Sequence, residues 1–387
     1  MSSLTRVAAP RVGGAPNEPA AEPAGPPVNR ILFVARDVQH DSLGQSIVHL
    51  ARELQRRGKT VGLLSGGGAL AGEFEKLGIQ PTLCLCLRVP GDPRVLSWKA
   101  ASAARQFAPD LVHLFSRALA AWGVKISYAT GKPYVLTIAS FPSSGRERRL
   151  PGDWTRGSIA AVSEEVREGL VNQGHIPKDA ISVVPLGICV EDYERYRPPG
   201  GPARTPVIGT VGPLSPERGC EYFLQAARQV LDGAPDVHFL VAGDGPERHR
   251  LRRLARELNI EKWVTFVHEF ADYRQMLAVL DVCVIPAVEE GVSLGVIEAM
   301  ACRKPVVAAG VGDVYDVIKD GETGLLAPKK NAAALAQKIA QLIEDRELAR
   351  RIVEAAFANI RERFSLGAAA ASLLACYSKC LARTRGA

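Results

Sequence analysis

Short apolar runs recur along this chain, and each is followed by a turn and a stretch that suits a helix. The runs show no polar alternation, which is typical of strands buried on both faces of a parallel sheet. They occupy residues 30–35, 60–65, 109–115, 134–140, 159–163, 207–212, 237–242, 263–267, 281–285 and 305–308. Strands that alternate with helices in this way predict an α/β protein with doubly wound sheets.

The chain is long enough for two domains, since 387 residues exceed one ordinary core. A polar, proline-rich span at 191–206, which contains PPGGP, is the natural linker. The first residues are rich in Pro, Ala and Gly and lack the apolar region of a signal peptide, so a disordered tail is predicted. The predicted segments are a tail at 1–28, a domain at 29–198, a linker at 199–206, a domain at 207–365 and a final helix at 366–387.

The segment VEEGVSLGVIEAMACRKP, residues 288–305, has the features of a binding site. It follows an apolar run and begins with two carboxylates, Glu289 and Glu290. Gly291 and Gly295 keep the first turn of the predicted helix free of bulk. Its unpaired backbone N–H groups are therefore open to an anion such as a phosphate.

Glu298 stands among apolar residues of the same predicted helix. A carboxylate is costly to bury without partners, so a hydroxyl-rich ligand is one reason for its presence. The alternative is a strand, an acidic turn and a core helix whose one glutamate reaches solvent. The strand, loop and helix around the segment favour the functional interpretation.

Composition narrows the class of protein. Apolar residues make up 47% and charged residues 23%, as in globular proteins, and no run reaches the ~18 apolar residues of a membrane span. The eight cysteines have no CxxC spacing and no clustered histidines. We interpret them as small buried groups in a reducing cytosol, some of them inside an apolar strand at 83–87. A cytoplasmic protein is expected.

The positive charge suggests a second kind of partner. The net charge of +7 lies almost entirely in the first 200 residues. The arginines of this half suggest peripheral attraction to the inner face of an anionic membrane, or to an acidic acceptor, and a solvated basic face explains them equally well. They are Arg52, Arg56, Arg57, Arg146, Arg148 and Arg149. Nucleic acid is not expected, because no stacking pattern or binding motif accompanies the charge.

The spacing Glu290-x7-Glu298 within EGVSLGVIEAMACRKPVVA resembles the retaining nucleotide-sugar glycosyltransferases of family 4. The resemblance implies the GT-B fold, with two Rossmann-like lobes, a cleft between them and a final helix that crosses back to the first lobe. Four shorter segments share it: PDLVH at 109–113, AVSE at 161–164, GDGP at 243–246 and DGETG at 320–324.

The resemblance also implies roles for individual residues. Glu290 would face the hydroxyls of the donor sugar, Glu298 would hold the nucleotide ribose, and Arg218 would face the donor diphosphate. Glu290 and Arg218 are the catalytic candidates. The other donor-binding positions are Gly44, Gly291, Leu294, Gly295 and Val296. Further candidates are His113, Asp244 and His268.

Structural alternatives exist for several of these candidates. His113 would be a hydrogen-bonded core histidine, and Asp244 would serve only the geometry of its turn. His268 would merely end a strand, and Arg218 would be a surface arginine at a helix start.

The sequence departs from the family at three places. Ala139 stands where many members have a histidine that helps to position the donor, and Pro213 stands where they have a cationic arginine. Gly44 is the only plain glycine of a loop that usually has two. These departures put the activity in doubt.

The implied function is retaining transfer of a hexose from a UDP- or GDP-sugar to a hydroxyl acceptor, in glycolipid, polysaccharide or cell-envelope biosynthesis. No metal is expected, because no DxD-like pair stands where one would be needed. The alternatives are a catalytically impaired protein that binds nucleotide-sugars and, less favoured, a nucleotide-sugar epimerase of the same fold. The residues do not identify the acceptor.

Overall fold

The computed structural model describes residues 28–39, 42–88, 97–140, 150–194, 196, 205–234, 236–270, 272–289 and 294–385. Apart from Val28, the predicted tail lies outside these residues, and so does most of the predicted linker.

The first lobe contains a seven-stranded sheet among the described residues, with strand order β3-β2-β1-β4-β5-β6-β7 and parallel pairing throughout. Its strands are β1 (Arg30–Ala35), β2 (Thr60–Ser65), β3 (Pro81–Leu83), β4 (Leu111–Leu114), β5 (Tyr134–Ile138), β6 (Gly157–Ala161) and β7 (Ile181–Val183). Every residue of the central strands β4 and β5 is buried. Helices on both faces cover these strands, which explains why their sequences lack polar alternation.

Among the described residues, six helices lie between β1 and the start of the second sheet. They are α1 (Ser42–Arg56), α2 (Ala71–Lys76), α3 (Ser97–Phe107), α4 (Ala120–Thr130), α5 (Glu164–Asn172) and α6 (Val190–Glu194). The start of α5 shows why a helix begins there: Ser163 Oγ accepts a hydrogen bond of 3.2 Å from the Val166 N–H. Glu164 and Glu165 follow in the first turn, where their negative charge interacts favourably with the positive end of the helix dipole.

The second lobe repeats the design with a six-stranded parallel sheet of order β10-β9-β8-β11-β12-β13 among the described residues. Its strands are β8 (Val207–Val211), β9 (His238–Ala242), β10 (Val264–Val267), β11 (Val282–Ile285), β12 (Val306–Ala309) and β13 (Leu325–Ala327). Its helices are α7 (Cys220–Gly233), α8 (Arg248–Glu257), α9 (Tyr273–Val279), α10 (Leu294–Ala301), α11 (Val314–Val317), α12 (Ala332–Glu344) and α13 (Arg346–Arg363). The prediction of two doubly wound α/β lobes is confirmed.

The last helix, α14 (Leu366–Arg385), lies on the first sheet although it follows the second lobe in the chain. It packs on α1, β5 and β6, and buries Leu373 and Tyr377 in the first-lobe core. Full burial of an apolar side chain such as Leu373 contributes about 1.5–3 kcal/mol. Arg57, one of the arginines of the basic face, bonds Glu53 and the carbonyl of Gly367, so it joins α1 to α14.

Two details of the predicted organisation are wrong. The span 83–87 is not one strand: β3 ends at Leu83 because its partner β2 ends at Ser65, and 85–87 form a 3-10 turn. The span 191–206 is not wholly a linker, since it begins inside α6. Val190 and Tyr193 lie one helical turn apart and are buried in a second-lobe cluster. No helix among the described residues is both long and apolar enough to cross a bilayer.

Candidate functional site

A cavity of about 210 Å³ opens at the carboxyl ends of β8, β11 and β12. The strand order reverses between β8 and β11, and ligands of doubly wound sheets bind at such a reversal. Among the described residues, the cavity is lined by Thr210, Val211, Gly212, Pro213, Glu217, Arg218, Cys220, Ile285, Pro286, Ala287, Glu289, Gly295, Val296, Ala309, Val311, Asp313 and Val314. We call it the second-lobe cavity.

The amino end of α10 borders the second-lobe cavity. Gly295 and Val296 of its first turn line the cavity, and Leu294 is buried behind them. Among the residues that the structure describes, a Cβ atom placed on Gly295 would meet Ile285 Cδ1 at 3.9 Å and nothing nearer, so these residues leave room in front of this turn. Backbone N–H groups and the positive end of a helix dipole at such a place favour an anion. Glu290 and Gly291 lie outside the described residues, and their assignments remain predictions.

Arg218 supplies positive charge to the same cavity. It ends a 3-10 turn that precedes α7, and among the described residues of the lining it is the cation. The position of this turn is fixed, because the Val288 N–H bonds the carbonyl of Glu217 at 2.9 Å. Gly219 has φ of 62°, and a Cβ there would lie 2.1 Å from the Pro286 oxygen. A side chain at Gly219 would therefore displace Arg218.

Pro213 also lines the cavity, with its ring exposed. It brings no charge to the place where the family resemblance implies an arginine. The other departure, Ala139, is half-buried against the apolar cluster of the first lobe. Both positions are thus filled by apolar groups.

Asp244 and His268 follow β9 and β10, outside the lining of the second-lobe cavity. The Gly245 backbone N–H and, less strongly, the nearby Arg248 lower the pKa of Asp244. A Cβ on Gly243 would lie 1.8 Å from the Gly212 oxygen, so close packing of two loops accounts for the glycines of this turn. The roles suggested for Asp244 and His268 remain predictions.

Glu298 is buried and hydrogen-bonded by two phenols. Tyr273 donates to its Oε1 at 2.6 Å and Tyr193 at 3.1 Å, and the two phenol oxygens are 2.7 Å apart. Burial first, and then the charge of Glu298, raises the pKa of both tyrosines, so both remain protonated donors at neutral pH. The alternative that Glu298 reaches solvent is wrong, since 6% of the residue is exposed.

Sequence reasoning missed both tyrosines, which lie 105 and 25 residues from Glu298. One signal was present. Tyr193 and Tyr196 stand in the polar, proline-rich span, where aromatic residues have no reason to occur unless they pack on something. The hydroxyls expected from a ligand at Glu298 are supplied, at least at Oε1, by the protein.

His113 is a core residue. Its Nδ1 lies 2.6 Å from the Tyr377 hydroxyl and its Nε2 lies 2.7 Å from Thr137 Oγ1. Burial lowers the pKa of His113 to about 3, so the ring is neutral at physiological pH. This arrangement ties α14 to β4 and β5, and it matches the structural alternative for His113.

Gly44 lies in the first turn of α1, beside a separate cavity at the carboxyl ends of β1 and β4. This is the reversal point of the first sheet. A hydrogen bond joins the two lobes: Asp316 of α11 accepts it, at 3.2 Å, from the Glu164 N–H at the start of α5. Among the described residues, no three His, Cys, Asp or Glu side chains are grouped as metal ligands.

Two family profiles match consecutive parts of the chain. The profile described as Glycosyltransferase Family 4 matches residues 43–192, and that described as Glycosyl transferases group 1 matches residues 192–358. Together they span both lobes. The chain belongs to the family 4 glycosyltransferases.

Two relatives and one solved structure illustrate the similarity. An alpha-D-kanosaminyltransferase of Streptomyces kanamyceticus is 32% identical over 44% of this chain and 45% of its own length. A 2-deoxystreptamine N-acetyl-D-glucosaminyltransferase of Streptomyces fradiae is 27% identical over 67% and 69%. Anabaena HepE in complex with UDP-glucose has 20% identity and a TM-score of 0.73, over 89% of this chain and 98% of that one. The chain spans about half the length of most of the relatives it matches.

The structural likeness confirms the GT-B fold for this family 4 chain. At 20% identity it establishes the fold and not the substrate.

Proposed function

We propose that this chain transfers a hexose from a UDP- or GDP-sugar to a hydroxyl acceptor, with retention at the anomeric carbon. The observation that carries the proposal is one cavity that combines the open first turn of α10 with Arg218. That pair of features fits the diphosphate of a nucleotide-sugar. Membership of family 4 supports the same reaction class.

The charge balance of the transfer explains why such a cavity would act as a catalyst. The bond between the anomeric carbon and the diphosphate oxygen breaks, and a bond from that carbon to the acceptor oxygen forms. Negative charge grows on the departing diphosphate, where Arg218 and the backbone N–H groups of 294–296 would stabilise it. The acceptor proton passes to the departing phosphate oxygen on the same face, as the family resemblance implies. This step needs no metal.

The names of relatives guide the choice of donor. HepE was solved with UDP-glucose, and two relatives are named as transferases of kanosamine and of N-acetylglucosamine. We therefore place UDP-hexoses and UDP-hexosamines first among the donors to be tested. The acceptor is proposed only as a hydroxyl compound.

A second function has one observation in its favour. Pro213 lines the second-lobe cavity without charge, so the described lining offers a diphosphate one cation in place of the two that the resemblance implies. A protein that binds nucleotide-sugars without turnover would tolerate this, because removing one preorganised group commonly costs about 2.7–4 kcal/mol of barrier.

Release of nucleotide from a panel of UDP- and GDP-sugars separates these functions. The transferase predicts release that increases when the correct acceptor is added. Binding without release, whatever acceptor is offered among lipids, glycans and small molecules, would contradict the enzyme. Recovery of an altered sugar still linked to the nucleotide would indicate an epimerase.

A further inference from the structure

The hydrogen bonds around Glu298 form a closed group of three oxygen atoms. Tyr273 Oη lies 2.6 Å from Glu298 Oε1 and 2.7 Å from Tyr193 Oη. Tyr193 Oη lies 3.1 Å from Glu298 Oε1. The shortest bond joins Tyr273 to the carboxylate, as expected for a charge-assisted hydrogen bond. Tyr193 donates to the carboxylate, and its oxygen lies within hydrogen-bond distance of Tyr273 Oη.

This group fixes the direction of the carboxylate. A glutamate side chain has three torsions, and a phenol held in a packed site removes most of their freedom. Tyr193 is 5% exposed and Glu298 is 6% exposed. Tyr273 is half-buried and packs against the same apolar cluster as Tyr193, so the two phenols restrict the place of Oε1.

The three residues also connect α10 with two other helices. Glu298 belongs to α10, which borders the second-lobe cavity, whereas Tyr273 belongs to α9 and Tyr193 to α6. The residue before Tyr193, Asp192, lies 3.6 Å from His49 of α1 in the first lobe. The position of the carboxylate is therefore linked through α6 to the junction of the two lobes.

We propose that Tyr273 and Tyr193 are positioning residues for donor recognition, which hold the Glu298 carboxylate in the orientation that accepts the ribose hydroxyls of the nucleotide. This inference rests on the proposed function. It adds two residues, remote in sequence, that select ribonucleotides over deoxyribonucleotides without touching the ligand.

The test compares nucleotides that differ only at the ribose. UDP, 2′-deoxy-UDP and 3′-deoxy-UDP are titrated calorimetrically into the intact chain, with GDP and its deoxy analogues in parallel. We expect the ribonucleotide to bind about tenfold more tightly than at least one deoxy analogue. The analogue lacks a hydroxyl that would donate to the charged carboxylate, and hydrogen bonds to charged groups are stronger than those between neutral groups. In Tyr273→Phe this ratio should fall to about threefold or less, and the affinity for the deoxy analogue should stay the same.

Two further variants make the outcome specific. Tyr193→Phe should lower the same ratio by a smaller factor, because its bond to Oε1 is longer. Tyr196→Phe is the matched control: it removes a neighbouring hydroxyl that bonds Asp272, and should leave the ratio unchanged. All three retain the aromatic ring, and a thermal scan shows whether each is folded.

The contrary results are distinguishable. A purely structural role for the phenols would lower the affinity for ribo- and deoxynucleotides by the same factor, and an unchanged ratio in Tyr273→Phe and Tyr193→Phe would overturn this inference alone. Wild-type protein that binds UDP and both deoxy analogues equally would also overturn it. Failure to bind UDP or GDP at all would remove the proposed function, and the inference with it.

Discussion

Each lobe has a buried ionisable side chain held by tyrosine hydroxyls, yet the two sites differ in what surrounds them. In the first lobe, His113 has both ring nitrogens bonded by Tyr377 and Thr137. In the second lobe, Glu298 lies on a helix that borders an open cavity, and two phenols donate hydrogen bonds to its Oε1. The same chemistry thus completes a core in one lobe and, in our proposal, aims a carboxylate in the other. The structure around the buried group decides whether its hydrogen bonds serve the core or a binding site.

The largest expected effect concerns the second lobe. Arg218→Ala should slow nucleotide release from the accepted donor about 10²–10³-fold, because it removes a preorganised charge from the departing diphosphate. Arg228→Ala is the control, since Arg228 lies on the surface of α7 and pairs with Asp232. A loss below about threefold in the first variant would mean that the cavity does not hold the diphosphate.

The next effect is on the first lobe and depends on pH. The folded chain lowers the pKa of His113 from 6.5 to about 3, so the unfolded chain binds the extra proton as pH falls. Stability is then lost below pH 6.5, by about 2 kcal/mol between pH 7 and pH 5 from this group alone. Urea unfolding should show a smaller loss in His113→Asn. The exposed His249 gives the control: His249→Asn removes a surface histidine and should keep the wild-type free energy of unfolding at pH 7.

A third prediction distinguishes the role of Glu298 from that of Glu290. Glu298→Gln should weaken nucleotide binding about tenfold, since one charge-assisted contact is worth roughly 1.4 kcal/mol or more. Glu290→Gln should slow transfer while nucleotide affinity changes by less than about twofold. Calorimetry and nucleotide-release assays measure the two quantities. Equal and small effects from both variants would contradict the assigned roles.

A fourth effect tests whether the first-lobe network is only structural. Tyr377→Phe leaves Nδ1 of buried His113 without its hydroxyl partner and should lower the free energy of unfolding by about 1–2 kcal/mol. Nucleotide affinity should not change. A weakened affinity for nucleotide in this variant would erase the distinction between the two lobes.

Much of the fold could be predicted, because buried parallel strands produce continuous apolar runs. The predicted bounds 30–35 and 60–65 coincide with β1 and β2. Prediction failed at 83–87, where the apolar residues continue after the neighbouring strand has ended: Leu83 and Leu85 are 64% and 61% exposed. Composition shows that a residue is apolar and does not show where its partner strand ends.

From the sequence, the candidate site could be proposed only where it is local in the chain. Strand β11 and helix α10, which contains Gly295, follow one another in the chain, so their sequence pattern suggests an anion site, and this assignment stays a prediction. The partners of Glu298 come from α6 and α9 and those of His113 from α14 and β5, so they depend on tertiary packing. For that reason the sequence left the environments of Glu298 and His113 open, and the structure resolves both.

The central claim is that the cavity beside α10 binds the diphosphate of a nucleotide-sugar. Calorimetric titration of UDP and UMP, with GDP and GMP in parallel, into wild-type protein and Arg218→Ala tests it most directly. We expect the wild type to bind one diphosphate clearly more tightly than its monophosphate, and most of that difference to vanish in Arg218→Ala. Equal binding of diphosphate and monophosphate by the wild type, or a difference that survives in the variant, would contradict the claim.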